Sequence, residues 1–510
     1  MKKSLFLFLV LLVWGVATPK DTLVVAIENE PSRLNPIFSE DHDVAMSAIF
    51  SGLVRFDKDM KVLPDLAVAW SVSQDGLTYV FDLRKGVKWQ DGAPFGADDV
   101  IFTLQSLKNP KINSPLGVNF EMIQSIKKIN ENKIKIKLSK PFPAFLDVMS
   151  VGILPKHLLA REDLNTSSFN QSPIGTGPYK LVQWKKGRYM SLEANPFFYL
   201  GKAKTTKLIF KTIANPSITS VELKNGSVDV GLVDFELAHS FVRDSRFGFT
   251  LLPSADYRAL MFNVKNPLFK DPKVRVALNY AINKEAMLKT LIHSHGFVAD
   301  HPLQASWANP AVYPAYSYDP KKALILLEEL GWKKGEDGYL YKNQKVFEFD
   351  IYTMNNDPLR VALASVIQGD LAKIGIRTKV VAKPSGSFDY TRVDSFLIGW
   401  GNPIDPDLHT YRVFSSLEDT DINAGGWNFG HYANAEVDLA LNQARNTLSP
   451  EKRKEAYAHL ISALYQDPPY IFLLYLNFPL VYRANVKGIE PNIVGHHGVG
   501  FTWNIWQWSK

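Results

Sequence analysis

The stretch from Tyr257 to Met287 constrains the fold most, because a strand pattern and a helix pattern meet there in the middle of the chain. Leu260 to Val264 is a short apolar run of strand type. Asp271 and Pro272 then have the residue types of a helix N-cap and a first helical residue. Apolar residues follow at helical spacing, at positions 274, 277, 278, 281 and 282. We predict that the chain crosses here from one α/β unit to another.

The length of 510 residues is too great for one core and predicts two or three domains. With 46% hydrophobic residues, the chain can bury a large interior. Beyond residue 320, helix patterns that end at Gly331 and Gly375 alternate with strand patterns. This alternation predicts an α/β fold for the second half as well.

Charge and cysteine content exclude several classes of protein. The formal net charge is +7, but the basic pairs Lys185-Lys186 and Lys333-Lys334 lack the interleaved aromatics of a nucleic-acid face, so no nucleic-acid partner is expected. The absence of cysteine excludes a disulfide, a thiol nucleophile, a cysteine metal site and a lipid-anchor cysteine.

The first residues have the pattern of a secretory signal peptide. Lys2 and Lys3 precede an apolar core from Leu5 to Val16, and Gly15 and Ala17 suit cleavage after residue 17. The alternative is a membrane anchor, but an apolar core of about a dozen residues is shorter than the roughly 20 that span a bilayer. We therefore predict a signal peptide at 1–17 and a mature chain without a membrane span. The missing lipid-anchor cysteine favours the periplasm, and secretion is the alternative.

Four segments between residues 52 and 104 occur in a specific order, namely GLVRFD, LPDLAVAW, DGLTYVFDLRKGVKWQDGAPF and ADDVIFTL. Their order closely resembles the family 5 extracellular solute-binding proteins, the oligopeptide-, dipeptide- and nickel-binding group. The mid-chain segment LMFNVKNPLFKDPKVRVALNYAI resembles the stretch by which that family passes from its first lobe into its second. The resemblance extends from Leu23 to roughly Trp503.

The resemblance implies an α/β, two-lobed periplasmic-binding-protein fold of the type II, cluster C-like kind. It places lobe I at 18–262 plus 478–510, with an extra subdomain at about 53–168, and lobe II at 263–477. It also implies a monomer that delivers its ligand to a membrane ABC permease. No cofactor is expected, because separate subunits of such importers hydrolyse ATP.

The leading ligand-site candidate is the stretch from Phe396 to Phe414, where an apolar strand delivers Trp400 to a loop broken by glycine and proline. A strand end that faces a cleft is where open α/β sheets bind ligands. In peptide-binding relatives, the corresponding loop supplies an aspartate for the ligand's amino group. The alternative is that Asp405 and Asp407 only form turns. The predicted ligand contacts are Trp400, Gly401, Asn402, Asp405, Asp407, Asn263 and Trp427.

Two positions depart from the dipeptide-binding pattern. Pro403 stands where the amine-binding aspartate is expected, which leaves Asp405 as the nearest carboxylate. Met354 stands where a carboxylate-binding arginine is expected, and Arg360 belongs to the next helix. These departures predict either a longer peptide held by its backbone or a ligand of another kind.

Metal and catalytic motifs are absent from the sequence. His293, His295, His301 and the pair His496-His497 have no hydrolytic zinc spacing, and we predict surface loop histidines; a bound nickel chelate is the alternative. There is no G-x-S-x-G, H-E-x-x-H, P-loop or Rossmann motif, so no catalytic residue is assigned.

Three functions follow from these observations. A peptide-binding component of an ABC importer is favoured. An oligosaccharide, an opine-like solute or a nickel chelate in the same scaffold is the second hypothesis. A periplasmic hydrolase is the alternative of another class, although an enzyme is not expected.

Overall fold

The computed structural model describes residues 21–39 and 44–510 and has the predicted α/β architecture with two lobes. In the first lobe, Thr22–Ile27 lies parallel to both of its neighbours and is buried along its whole length. The strands across this sheet are, in order, Phe247–Leu252, Phe478–Arg483, Val230–Leu232, Thr22–Ile27, Lys207–Thr212, Tyr189–Ala194 and Tyr179–Lys185. The helices that accompany it are Met46–Ile49, Pro216–Asn225 and Phe235–Val242.

An additional subdomain is inserted between the strands Thr22–Ile27 and Tyr179–Lys185. The strands of its antiparallel sheet are, in order, Ala67–Val72, Thr78–Leu83, Lys133–Leu138 and Ile123–Asn130, and a hairpin is formed by Val54–Phe56 and Val62–Pro64. Its helices are Ala97–Lys108, Phe145–Val148 and Lys156–Leu159. Buried and half-buried residues alternate along Thr78–Leu83, so one face of this sheet packs on the core.

The second lobe is built on a sheet whose strands are, in order, Gly296–Val298, Tyr470–Leu476, Tyr257–Phe262, Ser395–Trp400, Glu348–Met354 and Arg377–Lys383. Its helices are Pro272–Ala281, Lys284–Leu291, Pro320–Glu329, Pro358–Lys373, Asp407–Phe414, Ala435–Asn446 and Pro450–Gln466. A small sheet contains Lys333–Lys334, Leu340–Lys342 and Lys345–Val346. Short 3₁₀ helices occur in the chain at Pro36–Phe38, Pro110–Ile112, Gly117–Asn119, Ser168–Asn170, Ser416–Glu418, His496–Gly498 and Ile505–Gln507.

Local signals for helix ends are confirmed. Asp271 accepts a hydrogen bond from the backbone N–H of Lys273, 2.9 Å away, and Pro272 is the first helical residue. Gly331 and Gly375 follow their helices with φ values of 88° and 84°, a conformation that glycine adopts without steric cost.

The first crossing between the lobes lies earlier than the predicted boundary after residue 262. Phe247–Leu252 pairs in the first sheet, whereas Tyr257–Phe262 pairs on both edges in the second, so the chain crosses at residues 253–256. The apolar pattern predicted a strand, but such a pattern does not specify which of the two sheets the strand joins. The chain returns at Asn477, between Tyr470–Leu476 and Phe478–Arg483.

The C-terminal segment, residues 485–510, packs against the first lobe and the first crossing. The carbonyl of Trp508 accepts a hydrogen bond from Thr205 Oγ1 at 2.8 Å, and Val494 exchanges backbone hydrogen bonds with Pro253 and Ala255. The predicted signal peptide at 1–17 lies outside the described residues. Across residues 21–39 and 44–510, no helix has the length and apolar content that crossing a membrane requires.

Candidate ligand site between the two lobes

A cavity of about 850 Å³ lies between the lobes and receives side chains from both of them. Glu28, Phe56 and Asp147 come from the first lobe, and Arg360 and Trp400 come from the second. This volume is within the range of pockets that enclose small ligands. A ligand held here touches both lobes at once.

The structure brings four of the predicted residues to this cavity and leaves three outside it. Those that line it are Trp400, Gly401, Asn402 and Trp427. Asn263, Asp405 and Asp407 do not line it. The Asn263 amide donates a hydrogen bond to the carbonyl of Thr391, at 3.0 Å, which keeps it among the loops of the second lobe.

Asp405 and Asp407 face arginines inside the second lobe. The carboxylate of Asp405, only 6% exposed, accepts hydrogen bonds of 2.6 and 2.7 Å from the guanidinium of Arg453. Asp407 Oδ2 lies 3.4 Å from Arg445 Nε, and burial raises the pKa of Asp407 to about 6. Asp405 Oδ1 also accepts from the backbone N–H of Asp407 at 2.9 Å, as the turn-forming alternative expects. The partners lie on helices far along the chain, which is why local sequence did not reveal them.

An aromatic stack forms one wall of the cavity. The buried strand Ser395–Trp400 delivers Trp400, whose ring stacks on Trp427 with centroids 5.1 Å apart and an interplanar angle of 18°. The guanidinium carbon of Arg412 lies 3.5 Å from the centroid of the Trp427 ring. A cation over an indole face is favourable, so Arg412 helps to hold the ring of Trp427 in place. The result is a flat surface at the end of the strand.

Gly401 allows the strand end and the first crossing to approach each other. A Cβ atom at this position would lie 2.6 Å from Asp256 Cα and 2.7 Å from the carbonyl oxygen of Ala255. Both neighbours are backbone atoms, which cannot move aside cheaply. The predicted site residue Gly401 therefore has a structural reason to be glycine.

A buried charged cluster lies beside the stack. Asp256 accepts a hydrogen bond from Arg258, and its Oδ1 lies 2.8 Å from His496 Nδ1. On the other side of the ring, His496 Nε2 lies 3.3 Å from Arg360 Nη2. Since a guanidinium only donates and a carboxylate accepts, a neutral ring with its proton on Nδ1 satisfies the Asp256 and Arg360 contacts. Arg258 Nη1, which lies 3.3 Å from Nδ1, then donates to Asp256 rather than to this ring.

Arg360 is held by Asp357, whose Oδ2 lies 2.9 Å from Arg360 Nε. Burial raises the pKa of the Asp256 carboxyl, against the opposing charge of Arg258. Burial, and then repulsion by Arg258, lowers the pKa of Arg360. Burial alone would raise the pKa of Asp357, but Arg360 and Arg258 hold it below its ordinary value. The cluster is therefore tightly coupled and poorly hydrated.

His497 occupies the first-lobe side of this cluster. Its backbone is left-handed, with a φ of 54°, and its N–H donates to Asp256 Oδ2 at 3.0 Å. Its ring lies on the cavity wall, 4.1 Å from the ring of His496 between centroids, with Nδ1 3.4 Å from Glu28 Oε1. The cluster contains three carboxylates and the two guanidiniums of Arg258 and Arg360. When the imidazoles of His496 and His497 are neutral, its net charge is therefore one negative.

The prediction that these histidines lie on the surface is wrong for His496 and for His301, which are 6% and 2% exposed. Burial lowers the pKa of His301 to about 3. The segment around His496 is drawn inward because its N–H donates to the carbonyl of Gly401 at 3.0 Å. Adjacent histidines in a sequence without other metal motifs gave no sign of this placement.

A group of possible metal ligands lies in the second lobe, away from the cavity. In the described residues, Asp419, Asp421 and His431 bring ligand atoms within 4.8 Å of one another. The ammonium of Lys265 contacts Asp421 and lies 3.1 Å from His431 Nδ1. A lysine thus provides the positive charge at this cluster.

Comparison with known proteins adds the family. The profile described as bacterial extracellular solute-binding proteins, family 5 middle, matches residues 61–421. An oligopeptide-binding protein from Bacillus subtilis, AppA, is 30% identical over 95% of this chain and 91% of its own. This chain belongs to family 5 of the extracellular solute-binding proteins.

Solved structures of family 5 members have the same fold. NikZ from Campylobacter jejuni, in complex with Ni(L-His), superposes with a TM-score of 0.94 at 57% identity, covering 97% of this chain and 100% of that one. AppA from Bacillus subtilis, in complex with a nonapeptide, gives a TM-score of 0.86 at 29% identity, covering 96% of this chain and 98% of that one. The predicted membership of family 5, the predicted fold class and the predicted solute-binding role in ABC import are therefore confirmed at the level of the family.

Within this family 5 fold, Arg360 occupies the neighbourhood of the arginine that is missing at position 354. Met354 ends its strand at the cavity, and Arg360 Nη1 lies 3.9 Å from its Sδ atom. The helix Pro358–Lys373 begins close to the strand end, so its first turn brings the guanidinium back to the cleft. Sequence reasoning assigned Arg360 to the next helix and missed its return.

Proposed function

We propose that this chain is the solute-binding component of an ABC importer and that its ligand is a nickel chelate of histidine. The observation that carries the proposal is that the imidazole of His497 and the guanidinium of Arg360 line the same cavity, with His496 packed between them through both of its ring nitrogens. Imidazole nitrogen is a good ligand for nickel, and a guanidinium matches the carboxylate of a chelating amino acid. The similarity to NikZ, described above with Ni(L-His), supports the same ligand class.

The chain's own groups divide the work of recognition. Arg360 donates to the ligand carboxylate, and Asp357 keeps the guanidinium oriented through its 2.9 Å contact. The imidazole of His497 offers a nitrogen from the first lobe, while Trp400 and Trp427 present a flat wall for a second ring. Because these contacts come from both lobes, the ligand binds the closed arrangement more tightly than the open one, which is the condition for closure.

Titration calorimetry tests the proposal. We expect a mixture of nickel and L-histidine to bind the wild-type protein, whereas nickel alone and histidine alone bind at least about tenfold more weakly. Arg360→Met should weaken binding of the mixture at least about tenfold, because a buried charge partner is lost. Arg392→Met, at an arginine whose side chain is 84% exposed, is the matched control. Equal affinity of wild type and Arg360→Met would overturn the assignment.

The remaining expectations follow from the same role. We infer export to the periplasm, delivery to a membrane permease, a monomeric state and binding without turnover. Light scattering of the purified chain measures its molar mass and so tests the monomeric state. Product analysis after incubation with nickel–histidine and with short peptides measures turnover, and any accumulating product would contradict a purely binding role.

A further inference from the structure

The additional subdomain of the first lobe touches the second lobe at a turn. This turn joins the strands Ala67–Val72 and Thr78–Leu83, and Gly76 lies in it with a φ of 67°. A Cβ atom on Gly76 would lie 2.7 Å from Leu448 Cδ2, so the backbone of the turn is in contact with this leucine. Leu448 belongs to the second lobe, in the short loop that precedes the helix Pro450–Gln466.

Both sides of this contact are held by hydrogen bonds within their own lobe. In the turn, the N–H of Gly76 donates to the carbonyl of Ser73 at 2.8 Å. On the other side, Ser449 follows Leu448 directly and caps the next helix through its hydroxyl oxygen. Two surfaces that are already ordered lose little conformational entropy when they meet.

A second contact between the same two parts of the molecule involves Phe142 and Arg445. Phe142 lies in the subdomain shortly before the helix Phe145–Val148 and is buried. The guanidinium carbon of Arg445, from the second lobe, lies 5.3 Å from the centroid of the Phe142 ring. The same guanidinium lies over the ring of Tyr411 at 3.8 Å and beside Asp407 at 3.4 Å. The second lobe therefore holds a cation in position for an aromatic face of the first.

The four residues of these contacts do not line the cavity, namely Gly76, Phe142, Arg445 and Leu448. We propose that they form a closure latch, through which the additional subdomain raises the affinity of a cleft that it closes from outside the ligand site. Contacts between the lobes stabilise the closed arrangement relative to the open one. The apparent affinity rises with the fraction of molecules that is competent to bind. The four are thus positioning residues, which act on the ligand through lobe closure.

Calorimetry with nickel and L-histidine measures the effect of the closure latch on affinity. Leu448→Ala removes an apolar contact between the lobes, so we expect the affinity to fall about fivefold. Leu439→Ala is the matched control, because Leu439 is another leucine of the second lobe, 53% exposed against 41% for Leu448. The control should stay within about twofold of wild type. Equal losses of affinity in the two variants would overturn the inference.

A pair of glycine variants tests the contact from the side of the first lobe. Gly76→Ala places a methyl group against Leu448 and should lower the affinity at least about threefold. Gly86→Ala is the control, because its φ of 74° imposes the same backbone strain while its Cβ would meet nothing within 4 Å. When Leu448→Ala is also present, Gly76→Ala should cause no further loss, since the methyl group then has room. Additive losses would contradict a contact between these residues.

Small-angle X-ray scattering of the ligand-free protein makes the test independent of nickel. The inference rests on the solute-binding role and not on the metal. We expect ligand-free Leu448→Ala to have a larger radius of gyration than ligand-free Leu439→Ala, because fewer of its molecules are closed. If nickel–histidine does not bind the wild-type protein, the proposed function fails and the scattering alone decides the inference. Equal radii of gyration would then overturn it.

Discussion

Asp405 holds Arg453 with both carboxylate oxygens, and this pair lies inside the second lobe rather than on the wall of the cleft. The contact joins the loop after the strand Ser395–Trp400 to the helix Pro450–Gln466. An aspartate in the loop that the sequence predicted to bind the ligand therefore holds its own lobe together.

Replacing Asp405 by asparagine should therefore lower stability more than affinity. Because Arg453 becomes a buried charge without a counterion, we expect the free energy of unfolding to fall by about 3–5 kcal/mol. Urea denaturation measures this loss, and calorimetry on the folded fraction should find nickel–histidine affinity within about threefold of wild type. Unchanged stability together with a large loss of affinity would return Asp405 to the ligand site.

Gly401→Ala should damage the junction between the lobes. The added methyl group meets the backbone of Ala255 and Asp256, and such overpacking costs about 1–3 kcal/mol. We expect a lower melting temperature and weaker ligand binding, because the strand end must shift from the crossing. Gly425→Ala is the control, since a Cβ there meets only the Asn423 side chain at 3.6 Å. Equal effects of the two substitutions would argue against a special role for the crossing.

Asp147 should make the ligand-free protein less stable as the pH rises. Its folded pKa of about 7 lies above the ordinary value, so the folded state keeps a proton that the unfolded state releases, and stability falls between pH 4 and pH 7. Asp147→Asn should therefore be more stable than wild type, by a margin that grows by about 2 kcal/mol from pH 5 to pH 8. Denaturation at several pH values measures the margin, with the remote Asp163→Asn as control. A stability margin that does not change with pH would refute the raised pKa of Asp147.

His409 should contribute the opposite dependence. Burial, and then the charge of Arg412, lowers its pKa to about 3, and its Nε2 lies 3.0 Å from the hydroxyl of Tyr257. Since the unfolded state binds a proton that the folded state excludes, this contribution is complete above pH 6.5 and is lost as the pH falls toward 3. His409→Gln should flatten the acid limb of the stability curve, whereas the exposed His239→Gln should not. Parallel acid limbs in all three proteins would contradict this prediction.

The fold was predictable where the signal is local. The cap at Asp271 and the buried strand that ends at Trp400 need only neighbouring residues, and both were read correctly. The partners of the charged groups were not predictable, because they lie 48 residues apart for Asp405 and Arg453 and 240 residues apart for Asp256 and His496. Periodicity and capping contain no information about such pairs. The same reason explains the misplaced first crossing, since a strand pattern does not specify its sheet.

The tryptophan stack gives the molecule an optical signature of its own. Two indoles with centroids 5.1 Å apart and nearly parallel planes have coupled electronic transitions, and such coupling produces a paired positive and negative band in circular dichroism. The sign and size of that pair depend on the angle between the rings of Trp400 and Trp427. A ligand that binds against this wall and changes the angle between the rings should therefore change the ultraviolet circular dichroism of the protein. Such a change would report binding without an attached dye.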